Sequence, residues 1–187
     1  SDGDGEPDAL VLEANGEIAD LAIAITVPEV SATPEPGATG GNESATLAFD
    51  FDSASGNGGQ TTGNVTAGEA FSVNVYVDGA QDLIGYEVVV AFDKDKVALK
   101  SVLEQTSAEG ANFLKTAGGL GAFIGRVGDG TATLTAVVLG PSESVAPEGG
   151  GLLGVLEFEA LSDFSGETEL SIQSAVMTGV STISDSL

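Results

Sequence analysis

Bulky side chains recur at every second position in one segment after another of this 187-residue chain. Phe71, Val73, Val75 and Val77 alternate with Ser72, Asn74 and Tyr76. Tyr86, Val88, Val90 and Phe92 alternate with Glu87, Val89 and Ala91. Ala132, Leu134, Ala136 and Val138 stand opposite Thr131, Thr133 and Thr135. A period of two is the repeat of a pleated strand with one buried face, and an amphipathic helix does not produce it. Shorter versions appear at Leu47, Phe49 and Phe51, at Leu156 and Phe158, and at Leu170 and Ile172, while 97–104 and 177–183 read as further strands. The segment 108–117 reads as a short helix weakened by Gly110. With 27 glycines available for the turns, strands at this spacing predict an all-β sandwich.

The alternation divides the chain into three zones. Residues 46–187 carry the sandwich. Residues 31–45 (SATPEPGATGGNESA) are rich in Pro, Gly, Ser and Thr and read as an extended linker. Residues 1–30 form an acidic, then apolar, arm. Within it Leu21, Ile23, Ile25 and Val27 share one parity and Ala22, Ala24 and Thr26 the other, the pattern of a strand with one bulky and one small face. Asn15-Gly16, a preferred hairpin turn, precedes it; a helix over 8–25 with Gly16 as its defect is the rival reading. An apolar strand on a linker has two destinations. It folds back onto its own sandwich, or it inserts into the sheet of an identical neighbour as a donor strand, which propagates head to tail unless a ring closes.

Charge removes whole classes of function. The chain has 29 Asp and Glu against 5 Lys and Arg, a formal net charge of −24. Nucleic acid is an unsuitable partner, because phosphate binding needs clustered cations. With no His and no Cys, the usual ligands of zinc and haem, thiol nucleophiles and histidine-based triads are missing. A 42% apolar content is nonetheless enough to bury a core. Such a charge opposes compaction and attracts cations, which bound calcium, high salt or a cationic partner would relieve.

From Thr46 onward the sequence resembles the cohesin-like family of bacterial and archaeal surface proteins. The resemblance lies in AGEAFSVNVYVDGAQDLIGYEVVVAFDKDKVALKSV (67–102) and GGGLLGVLEFEAL (149–161). It implies a jelly-roll β-sandwich of about nine strands and, in cohesins proper, recognition of a dockerin through one sheet face. No recognition residue is carried over, because that face has no fixed motif.

Candidate sites are few. Asp52, Ser55 and Asn57 lie in a Gly-rich loop whose oxygen donors suit a hard cation, and Asp93 with Asp95 offers a second loop, making Ca²⁺ the candidate ion. The competing reading of each loop is a set of Asx turns. Asp50 and Asp52, two steps apart on one strand, are expected about 6.6 Å from each other. Asn42 and Asn64 open N-x-S/T sequons. Ser1 begins an acidic stretch without a leader pattern, which reads as a mature N-terminus, and no apolar run approaches the roughly 18 residues of a membrane span. Together these features predict a non-catalytic extracellular or cell-surface subunit that assembles through 21–27. The alternative is a cohesin-type or adhesin module that binds a dockerin or another surface protein.

Overall fold

The computed structural model describes residues 23–26, 41–52, 54, 56–106, 110–140 and 145–180. Ten strands follow in chain order: β1 (Ile23–Thr26), β2 (Thr46–Asp50), β3 (Thr62–Val65), β4 (Ala70–Ala80), β5 (Leu83–Phe92), β6 (Val97–Leu103), β7 (Leu120–Val127), β8 (Thr131–Leu139), β9 (Gly149–Ala160) and β10 (Thr168–Gly179). They form a six-stranded sheet, β3-β1-β10-β5-β8-β7, and a four-stranded sheet, β2-β4-β9-β6. The nine strands after the arm make the jelly-roll sandwich that the alternation and the resemblance both predict. Among the described residues no helix is long and apolar enough to cross a membrane.

The predicted parities become the core. Leu47, Val73, Val75, Val77, Val88, Val90, Leu134, Leu156, Phe158 and Met177 are all buried between the sheets. Phe71 stacks on Phe158 at 5.4 Å, and Phe92 meets the same ring edge-on at 5.2 Å. Burying one such side chain contributes roughly 1.5–3 kcal/mol, so the interior outweighs any single surface ion pair. Tyr86 points inward, and its hydroxyl donates to the Leu153 carbonyl. The Asn112 amide donates to both the Tyr86 hydroxyl (2.8 Å) and that carbonyl (2.7 Å). Burial pushes the Tyr86 hydroxyl well above its usual pKa range, with the Asn112 bond opposing. This buried knot ties β5 in one sheet to β9 in the other.

Several expectations are corrected. The helix over 108–117 is replaced, within its described part, by a single 3-10 turn at Phe113–Lys115. Gly110 adopts φ +80, outside helical space, and Asn112 caps the turn by accepting from Leu114 N at 3.1 Å. Segments 170–172 and 177–179 belong to one strand, 168–179, with a bulge between Ile172 and Ser174, and 181–183 lie outside the described residues. Strands β3 and β7 have no counterpart in the alternation.

Of the expected arm strand 21–27 the structure describes Ile23–Thr26, as a strand; Leu21, Ala22, Val27 and the Asn15-Gly16 turn lie outside the described residues. In this single chain it sits in its own sheet, antiparallel to β3 and parallel to β10. Among the described residues β3 has no other strand partner. The backbone reason is that β1 satisfies hydrogen-bonding groups on two edges at once.

Replacing Asn112 by Ala removes the cap of the 3-10 turn and one donor of the buried knot. The expected cost is about 2 kcal/mol, read as a lower urea midpoint with an unchanged m-value.

Candidate protein-binding face

Strand β8 fixes which way the long sheet faces. Ala132, Leu134, Ala136 and Val138 are buried, so Thr131, Thr133, Thr135, Val137 and Leu139 look outward. The registers with β7, β5 and β10 extend this face in rows. Leu120 lies opposite Leu139. Ala122, Val137, Gly85 and Thr178 form the next row, followed by Ile124, Thr135, Glu87 and Val176, then Arg126, Thr133, Val89 and Ser174.

These outward apolar side chains are uncovered. Leu120 is 78% exposed, Leu139 60%, Ile124 52%, Val137 46% and Val176 36%. They occupy three rows, about 13 Å along β7 on strands about 4.8 Å apart, with Thr178, Thr135 and Glu87 between them. Gly85 leaves a depression of about 280 Å³ in this face, walled by Ile84, Val137, Val176 and Thr178. A Cβ on Gly85 would stand 3.9 Å from a Val137 methyl and 3.3 Å from the Ala136 carbonyl oxygen, so the missing side chain is what opens the hollow.

Electrostatics sets this face apart. Of the four rows only Glu87 and Arg126 carry charge, on a chain of −24. The Glu87 carboxylate accepts from the Thr135 hydroxyl at 3.3 Å. Every lysine pairs with a carboxylate: Lys94 with Asp129 (2.7 Å), Lys96 with Asp93 (3.9 Å), Lys100 with Glu159 (3.2 Å) and Lys115 with Glu104 (2.7 Å). Hydrogen bonding to Asp129 holds Lys94 above its ordinary pKa. Arg126, the single arginine, makes no ion pair among the described residues and stands on the apolar face.

The cation candidates lie elsewhere. Asp50 is buried, and its carboxylate accepts backbone N–H groups from Asp52 (2.9 Å), Gln60 (3.1 Å) and Gly58. β2 ends at Asp50, so the chain curls instead of extending. Both carboxylates converge on Gly58: a Cβ there would be 2.8 Å from Asp52 Oδ2 and 3.4 Å from Asp50 Oδ2. Asp52 accepts from Ala54 N at 2.9 Å, and Asn57 from Gly59 N at 3.0 Å; Ser55 lies outside the described residues. Asp93 accepts from Asp95 N at 3.0 Å. These are Asx turns, and among the described residues no three His, Cys, Asp or Glu side chains stand together.

The sequons are placed differently. Asn42 is buried, its amide donating to Gln81 O (2.7 Å) and accepting from Gln81 N (2.9 Å), so a glycan there would have to precede closure of this clamp. Asn64 is exposed on β3.

Sequence reasoning missed the apolar face because β7 (LGAFIGRV) shows no alternation. Leu120 and Ile124 point outward while Phe123 packs against the core. The available signal was that loss of period two in a strand-length apolar run.

No family profile and no curated protein matches the chain. Solved structures similar to it in fold include cohesin domains. CaCohA2 from Clostridium acetobutylicum is 16% identical with a TM-score of 0.48, covering 72% of this chain and 90% of its own. The OlpA cohesin of a type I cohesin–dockerin complex from Clostridium thermocellum is 8% identical with a TM-score of 0.48, covering 73% and 99%. A non-cellulosomal cohesin from the archaeon Archaeoglobus fulgidus is 12% identical with a TM-score of 0.39, covering 62% and 83%.

With the lysines already paired, most of the acidic surface has only dissolved cations to screen it. Raising KCl from 0.05 to 2 M is expected to lift the thermal midpoint by several degrees. A midpoint that falls would show that the four ion pairs outweigh the net repulsion.

Proposed function

We propose that this chain is a non-catalytic binding module of the extracellular or cell-surface type, and that it takes a folded protein partner on the outer face of β7-β8-β5-β10. The observation that carries the reading is the nearly uncharged apolar face on a strongly acidic molecule. An acidic chain gains nothing in solubility from five uncovered Leu, Ile and Val side chains, whereas a partner gains from burying them. The fitting partner presents an apolar contact surface with a basic rim. The molecule's own field draws such a partner in, and the neutral centre lets the contact dry without stranding charges.

A dockerin is the first partner class to test, since the similar OlpA cohesin was solved with one. Titration calorimetry against a panel of purified dockerin modules is expected to find a binder. Ile124→Asp should weaken that binder at least 30-fold, about 2 kcal/mol, and leave the thermal midpoint within a degree or two because the side chain is half exposed. Equal affinity of both proteins would put the contact elsewhere. No binder across the panel would overturn the dockerin class.

A second reading, assembly of identical subunits through the N-terminal strand, is favoured by one observation. β1 holds two edges of the sheet together, and nothing in its backbone pairing requires that it come from the same chain.

A further inference from the structure

The inference concerns what decides between closure on the home sheet and exchange, and it rests on the second reading above. We propose that the slot between β3 and β10 accepts Ile23–Thr26 of a second copy, and that the number of residues joining β1 to β2 determines which copy fills it.

The two ends of that connection are far apart. Thr26 lies beside Glu169 and Thr62, at the N-terminal end of β10. At the other end Asn42 is clamped on both backbone groups of Gln81. The next residue, Asp82, accepts from Val180 N at 3.0 Å, just past the C-terminal end of β10. The connection therefore spans β10 from Glu169 to Gly179, ten steps or about 33 Å at about 3.3 Å per residue. Thr26 and Asn42 are sixteen steps apart in sequence (42 − 26), at most about 54 Å when extended. The arm reaches home with limited slack.

Removing residues 31–38 leaves eight steps (16 − 8), at most about 29 Å, less than the span. The arm of such a chain cannot enter its own slot, but it can enter another's. In the full chain a tethered strand competes at an effective concentration of about 1 mM. Dilute protein is therefore monomeric, and copies crowded to that level exchange arms. One arm and one slot per copy give either closed reciprocal dimers or open chains.

The sequence holds no cysteine, so a disulfide trap has no background. Ala24 and Asn64 are opposite each other in the β1–β3 ladder, where Cα separations of about 4.5–5.5 Å suit a disulfide. A full-length chain carrying Ala24→Cys and Asn64→Cys should oxidise to an internally linked monomer at micromolar concentration. The same chain lacking 31–38 should form covalent dimers and ladders that dithiothreitol dissolves. If the shortened chain stays monomeric, linked or not, the residue-count proposal is overturned. A second arm tests the reading beneath it: full-length Ala24→Cys chains mixed with full-length Asn64→Cys chains at about 1 mM should give a cross-linked heterodimer. Ladders from the shortened chain without that heterodimer would remove native assembly and keep the length rule. The heterodimer without the ladders would do the reverse.

Discussion

The apolar layer between the two sheets is what allows this chain to be so acidic. Leu47, Val75, Val88, Leu134, Leu156 and Phe158 meet there, and their removal from water does not depend on the sign or size of the net charge. Like charges on the exterior repel over about 10 Å in 0.1 M salt, and the packed interior must outlast that push. The same layer sets the geometry outside it. Because each strand turns alternate side chains to opposite faces, a residue's place in the core decides what its neighbour shows to solvent. The proposed binding face is the reverse side of the core.

How much could be read in the letters depended on whether one face of a strand was polar. Where Ser, Thr, Asn or Glu alternated with Val and Phe, as along β4, β5 and β8, both the strand and its inward residues were legible. β7 was illegible because Leu120 and Ile124 defeat the contrast on which the reading depends, and they do so at the proposed contact. Function and legibility were in conflict at that strand. The separation of Asp50 and Asp52 was misjudged for another reason. Spacing along an ideal strand held Asp50 and Asp52 apart, but β2 stops at Asp50 and three backbone N–H groups draw the chain around its carboxylate. Asn42 likewise carries a surface motif at a buried position, since no local pattern announces its bond to Gln81, 39 residues away.

The cations show a division of labour. Four lysines fasten strands, turns and loops to nearby carboxylates, each exposed enough that it contributes modestly. The one guanidinium joins none of these pairs among the described residues and stands in the row beside Ile124. Its fork of donors suits a carboxylate or a backbone carbonyl, which would give the proposed contact a direction.

The parallel pairing of β1 with β10 has a mechanical consequence. Tension drawn from the front of the chain along the strand axis would load the β1–β10 and β1–β3 hydrogen bonds together, as shear, instead of opening them one after another. Among the described residues four resist, so this ladder is expected to yield before the long β4–β9 and β5–β10 ladders are strained. Its release frees β3 and up to about 50 Å of tether while the sandwich body stays shut, so the molecule would lengthen under force before it unfolds.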